Sequence, residues 1–345
     1  MRRKHLSAVR QLVLAAIAVT LLCASMFDDS SVLQMQLRFD FDAFCDNPDK
    51  QDCADVPAEI VYTDLDGEAV SVDVRLRIRG RWSNRTAGCQ LPALFVYFNE
   101  SETAGTPFAG QSMLPLTTHC RHLHKRYSEY LLSEYLAHRI YALLSPVSIR
   151  ARLAEIEYID SRSNRHRKRY GFFTEHFAGV ARRTDRTLYE PDHLHVAEAD
   201  PQGMSRHALF QYMIGNLDWS AVQSHNVALF RADDGNVIPA PFDFDYSGLV
   251  SAEYASPPSG IWVSNVTTRV FRGYCWPGVD WSAVFDEFTA IKDDVFAEAA
   301  ALPDMSGGEQ RRIRVYLKRF YEKIESSEAR QAIVDSCRPV PEPLQ

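Results

Sequence analysis

Between Val70 and Arg79 the chain alternates without a miss. Val70, Val72, Val74, Leu76 and Ile78 fall on one side, and Ser71, Asp73, Arg75, Arg77 and Arg79 on the other. Residues two apart in extended backbone share a face, so this run is a strand with one face buried and the other in water or along a cleft. It follows Ala58 to Thr63 across the turn Asp64-Leu65-Asp66-Gly67, which makes an antiparallel hairpin. Leu33 to Phe41 alternates weakly, and Leu94 to Phe98 and Met113 to Thr118 read as further short strands.

The period then changes. From Lys125 to Leu144, Leu131, Leu132, Tyr135, Leu136, Ile140 and Leu143 recur at helical spacing, and Ser145-Pro146 ends the helix. Two strands follow, Ile149 to Ile159 and Arg169 to His176, joined by the basic run Arg162 to Arg169. The remainder is mainly helical, with helices expected at Ser205 to Ile214, Trp281 to Ala301, Gly308 to Ile324 and Ser327 to Ser336. Strands segregated from helices predict an α+β chain rather than a parallel doubly wound sheet. The expected division is a strand-rich lobe over 31–176, a mainly helical lobe over 177–336 and an extended tail over 337–345.

Residues 1–25 stand outside that plan. Arg2, Arg3, Lys4 and Arg10 precede an apolar run from Leu12 to Leu22, with Ala24 and Ser25 after it, the pattern of a secretory signal or an N-terminal membrane anchor. Removing the segment takes away four positive charges and moves the net charge from −7 to about −11. So acidic a chain is a poor partner for nucleic acid, and the Arg162 to Arg169 run reads as a solvated hairpin tip. Export, to a periplasmic or cell-envelope location, makes the even set of six remaining cysteines a disulfide set. Cys45 with Cys53 is the pair most readily assigned; Cys89 with Cys120 and Cys275 with Cys337 complete one pairing.

Gly215 to Gly248, GNLDWSAVQSHNVALFRADDGNVIPAPFDFDYSG, concentrates the chemistry. Asn226 and Asp243 lie almost equally far from the turn at Asp233-Asp234-Gly235-Asn236, so an antiparallel hairpin folded there sets them side by side. Asp218 lies close enough upstream to reach the same spot. Two or three oxygen ligands and one free carboxylate are what a phosphate-bound Mg²⁺ and a general base require. Asp243 and Asp245, two apart on a run read as extended, are expected on one side, where a cation would offset their repulsion.

This order of elements and motifs resembles the spore-coat-protein-H kinase family, an atypical branch of the protein-kinase-like fold, and more distantly the HipA-like kinases. The resemblance rests on RIRGRWS (Arg77 to Ser83), YGFFTEH (Tyr170 to His176), GNLDW (Gly215 to Trp219), His225-Asn226 and PFDFDYSG (Pro241 to Gly248). It implies a two-lobe fold, with an N-terminal antiparallel sheet carrying one helix and a mainly helical C-terminal lobe. It also implies roles. Asp218 would be the base that accepts the hydroxyl proton. Asn226 and Asp243 would hold Mg²⁺, with Asp245 as a further ligand. Arg79, Glu134 and Glu175 would serve the nucleotide: Arg79 on its phosphates, Glu134 orienting the phosphate-binding cation, and Glu175 within the strand that offers backbone groups to a purine. ATP or another nucleotide would be the donor, and a protein or small-molecule hydroxyl the acceptor.

The chain departs from that pattern in three places. Asp218 and Asn226 are eight apart where typical kinases have five, so the loop must bulge. No lysine occupies the expected strand position, leaving Arg79 or Lys125, and no glycine-rich phosphate loop is visible. An exported chain also meets little ATP. A catalytically inactive kinase-like binding module of the envelope is therefore the alternative, and a metal-assisted hydrolase built on Asp218, Asp243 and Asp245 the third reading.

Overall fold

The structure, a computed structural model, describes residues 25–44, 55–64, 66–79, 89–121, 124–163 and 165–340. The N-terminal signal or anchor, Cys45, Cys53 and the Gly80 to Ser83 part of the RIRGRWS motif lie outside the described residues. The chain divides into two compact units.

The first unit takes the described residues of Met1–Arg85, Ala93–Leu116 and Arg152–Phe173. It is built on seven strands: β1 (Leu33–Phe39), β2 (Val56–Thr63), β3 (Ala69–Ile78), β4 (Leu94–Phe98), β5 (Met113–Thr117), β6 (Ala151–Asp160) and β7 (His166–Thr174). They close into a barrel in the order β1-β2-β3-β4-β5-β7-β6. The alternating strand behaves as its pattern requires: Val72, Val74, Leu76 and Ile78 are buried, while Ser71, Asp73, Arg75 and Arg77 face water. Leu37, Ile60, Leu94, Val96, Leu114 and Ile156 are fully buried with them, so the barrel is filled by side chains. Phe108, from the β4–β5 connection, stacks on Phe98 at 4.9 Å and meets Phe173 edge-on at 5.9 Å.

Here the expected antiparallel sheet needs correction. β1 pairs in parallel with β6, Leu33 opposite Ala154 through Phe39 opposite Asp160, and that pairing closes the sheet. Closure removes the edges an open sheet would leave unpaired. The basic tip after β6 is charge-matched: Arg162 meets Asp40 at 2.8 Å, Arg165 meets Asp160 at 2.9 Å and Lys168 meets Glu155 at 3.0 Å.

The second unit, Thr86–Pro92, Thr117–Ala151 and Thr174–Gln345, holds the helices described here. The expected single helix of the strand-rich half, α1 (Lys125–Leu144), belongs to it. Of the α1 stripe only Leu143 is exposed; the other five expected positions are buried, as is Glu134. α2 (Phe177–Thr184) leads to β8 (Thr187–Tyr189), then α3 (Pro201–Ile214), β9 (Val227–Arg231) and β10 (Val237–Pro241). β9 is the middle strand of a three-stranded sheet, β10-β9-β8. Val180, Ala228, Phe230 and Ala240 pack there with Val147 and Ile149.

The one long helix expected over Trp281 to Ala301 is two, α4 (Trp281–Ala290) and α5 (Lys292–Ala300), followed by α6 (Gly307–Ile324) and α7 (Ser327–Asp335). Disulfides join Cys89 to Cys120 and Cys275 to Cys337, which fits an oxidising compartment. Among the described residues no helix is long and apolar enough to cross a membrane.

Candidate functional site

Helix α3 starts on Asp200, whose carboxylate accepts from the Gly203 N–H, with Pro201 at the first position, and it stops at Gly215 in left-handed backbone at φ 64°. Glycine is required there twice over. A Cβ on Gly215 or on Gly248 would overlap the Tyr316 hydroxyl. The two glycines also meet each other: the Gly248 N–H donates to Gly215 O at 3.1 Å and the Leu249 N–H to Ile214 O at 2.9 Å. The stretch from Gly215 to Gly248 is therefore a loop closed at its own neck.

Inside it the chain reverses twice. Ser220 and His225 exchange backbone hydrogen bonds of 2.9 Å, so Ala221 to Ser224 form a tight turn. That turn absorbs the extra residues between Asp218 and Asn226. The Asn226 amide donates to the Asp218 carbonyl at 2.8 Å and to its Oδ2 at 3.2 Å. His225 Nε2 lies 2.8 Å from Asp218 Oδ1. The Asp218 N–H in turn donates to Asn216 Oδ1 at 3.0 Å. Asp218 does not cap the preceding helix; its two oxygens face His225 and Asn226, and the side chain keeps 34% exposure, enough to meet a solute.

The second reversal is the β9–β10 hairpin. Its register pairs Val227 with Pro241 and Val237 with Arg231, and the Phe242 N–H donates to Asn226 O at 3.1 Å. Asn226 thus stands opposite Phe242, and Asp243 follows one step on. Both Asn226 (φ 54°) and Asp243 (φ 62°) occupy the left-handed region, where side chains other than Asn and Asp are rare. β10 ends at Pro241, so Asp243 and Asp245 are not placed by strand alternation as the sequence implied. What sets them is Phe244: it is fully buried, edge-on to His138 at 4.8 Å and to Phe210 at 5.6 Å, while the aspartate on each side stays half-buried.

Arg272 braces the loop from outside the hairpin. It donates to the Leu217 carbonyl and, at 3.1 Å, to the Trp219 carbonyl on either side of Asp218. Burial disfavours its charge, and the Asp218 carboxylate partly offsets that. Its own segment is fixed by the Cys275–Cys337 disulfide and by Cys275 N–H donating to Arg338 O at 2.8 Å. Neither Arg272 nor the His225 contact was legible as part of the site, since the VFRGYCWPG segment reads only as an aromatic packed loop.

The Glu175 carboxylate is buried between Arg183, at 2.8 and 3.1 Å, and Arg150, at 3.4 Å. Its backbone N–H donates to Arg150 O at 2.8 Å. Arg79 is half-buried at the end of β3, its N–H bonded to Ala93 O at 2.8 Å. Glu134 is buried on α1. Among the described residues no group of three or more His, Cys, Asp or Glu side chains is placed to hold a metal ion. Asn226, Asp243 and Asp245 each carry a hard oxygen donor of the kind Mg²⁺ takes, one amide oxygen and two carboxylates. Because the Asn226 nitrogen is turned to Asp218, the amide oxygen points the other way.

No family model matches the chain, and no curated protein matches it. Among solved structures it is similar to the crystal structure of a Helicobacter pylori proinflammatory kinase, CtkA. The match has 11% sequence identity, covers 71% of this chain and 92% of that chain, and has a TM-score of 0.39. A TM-score of that size does not establish a shared fold.

Proposed function

We propose that the chain is an exported phosphotransferase that moves a phosphoryl or nucleotidyl group from a nucleotide to a protein or small-molecule hydroxyl with Mg²⁺. The observation that carries this reading is the part-exposed Asp218 carboxylate, held by the Asn226 amide and the His225 imidazole at the mouth of a hairpin whose two ends, Asn226 and Asp243, both take left-handed backbone. Asp218 accepts the proton of the attacking hydroxyl at its carboxylate. Asn226 and His225 each fix one of its oxygens, so the acceptor meets a carboxylate of set orientation. Asn226, Asp243 and Asp245 would hold Mg²⁺, which when bound neutralises charge on the phosphate oxygens. In this reading Glu134 orients a phosphate-binding cation. Glu175 contributes no carboxylate to the nucleotide, since two guanidiniums already occupy it.

The test is a thermal-shift screen of the oxidised protein with nucleotides and Mg²⁺. A rise with nucleotide plus Mg²⁺ that vanishes in Asp243→Ala supports the reading; no rise with any nucleotide sinks it. Asp218→Asn then separates an enzyme from a binding module. It should keep the shift and lose transfer of labelled phosphate, whereas a module shows no transfer in either protein.

A further inference from the structure

α5 and α6 enclose a groove of about 770 Å³, a volume in the range of small-molecule sites. Its floor is apolar and narrow-walled: Ala299 and Ala300 from α5, and the rings of Phe296 and Tyr321, 5.7 Å apart. At one end the charges are already matched, Lys292 with Glu325 at 2.7 Å and Lys318 with Glu322 at 2.6 Å. At the other end they are not. Arg311 and Arg314 line the groove, exposed, and among the described residues neither has a hydrogen bond or an ion pair.

α6 begins at Gly307 with Ser306 as its cap, so both arginines stand beyond its first turn, where the helix itself neither binds nor balances their charge. Neighbouring Arg312 has Glu309 at 2.5 Å to balance it; Arg311 and Arg314 have no such partner. Tyr321, in the same wall, buries a hydroxyl with no hydrogen-bond partner. Two uncompensated guanidiniums, a helix N-terminus and an apolar aromatic floor in one groove are complementary to a single kind of solute.

We infer that this groove binds an acid-headed amphiphile, a soluble molecule with a phosphate or carboxylate on an elongated apolar body. The head pairs with Arg311 and Arg314, whose forked donors suit both groups, and the body lies along Ala299, Ala300 and Phe296. Lys292, 5.6 Å from the Tyr321 ring centroid, closes the far end.

The test is calorimetric titration of the full-length oxidised protein with octyl phosphate, octanol and inorganic phosphate. Octyl phosphate is expected to bind one per chain, with octanol and inorganic phosphate each about tenfold weaker or worse. Arg311→Gln/Arg314→Gln should weaken octyl phosphate about tenfold with an unchanged melting temperature, because both side chains are exposed. Ala300→Phe should block the apolar body and abolish binding. Equal affinity in the arginine variant, equal binding of octanol, or binding only to anionic lipid vesicles overturns the inference. Asp243→Ala should leave this titration unchanged, which separates the groove from the Asp218 loop.

Discussion

His207 gives a pH dependence that can be calculated before it is measured. It lies on α3, fully buried, with its ring 4.7 Å from that of Trp219 and 6.4 Å from that of Tyr141. Neither ring nitrogen has a hydrogen-bond partner among the described residues. Burial alone pushes its pKa from 6.5 down to about 3. Between those values the unfolded chain binds a proton that the folded chain refuses, so stability rises with pH across that window. The contribution is intact above pH 6.5 and is lost as pH falls toward 3. Each pH unit is worth about 1.4 kcal/mol, so this one ring removes roughly 3 kcal/mol between pH 6.5 and 4.5. A typical domain has only about 5–15 kcal/mol to lose.

The measurement is urea unfolding of the wild type and His207→Leu at pH 7.5, 5.5 and 4.5, followed by tryptophan fluorescence. Every other titrating group is common to both proteins and cancels in the difference. At pH 7.5 the variant should match or exceed the wild type, since two buried, unpartnered nitrogens are exchanged for hydrocarbon of similar size. By pH 4.5 it should have gained roughly 3 kcal/mol relative to the wild type. Parallel pH curves would refute the reasoning, and so would a variant that fails to fold at pH 7.5. Either result would mean that the imidazole is charged or hydrogen-bonded in the folded protein.

Glu175→Gln should cost about 2 kcal/mol in the same unfolding assay, because it leaves the part-exposed Arg150 and Arg183 guanidiniums facing a buried neutral amide. A loss below about 1 kcal/mol would show that the pair is solvated like a surface bridge. Cys275→Ser/Cys337→Ser opens a link spanning 62 residues, worth about 4 kcal/mol of chain entropy in the unfolded state, and should lower the melting temperature. An unchanged melting temperature in non-reducing buffer would contradict it.

What the sequence could reveal tracks the range of the interaction responsible. The β3 alternation is local, and burial follows it closely; along α1 burial spreads past the apolar stripe to Ser133, Glu134 and His138, while Leu143 is exposed. The hairpin carrying the candidate site was also legible, but its register is one residue off the symmetric reading. The turn closes as Ala232 N–H to Asn236 O at 2.9 Å, which centres the hairpin on Asp234 and puts Phe242 opposite Asn226. Barrel closure was not legible, because β1 and β6 are separated by more than a hundred residues and nothing in either strand names its partner. Arg272 was missed for the same reason: it bonds backbone carbonyls, and a carbonyl leaves no trace in residue identity. Burial of His207 and Gln211 also runs against residue type, since polar side chains four apart on a helix ordinarily face water.

The left-handed backbone at Asp243 ties stability to the proposed chemistry in a way that can be separated experimentally. Asp185 adopts the same region, φ 52° against 62°, but as the residue that ends α2, where glycine is the usual occupant. At Asp243 there is no helix to end. The conformation is held by the last β9–β10 contact on one side and by burial of Phe244 on the other, and it turns a carboxylate-bearing residue at the hairpin mouth. An L-residue there costs roughly 1 kcal/mol that glycine would not. Asp185→Gly should therefore raise or preserve unfolding free energy, by up to about 1 kcal/mol, whereas Asp243→Gly makes the same backbone gain but gives up the contacts of its side chain. Only Asp243→Gly should lose the nucleotide and Mg²⁺ shift. A stabilised Asp243→Gly protein that still shows the shift would mean that the carboxylate is incidental and the turn alone matters. A strongly destabilised one would mean that Asp243 is part of the fold's scaffold rather than a residue held in strain for a ligand.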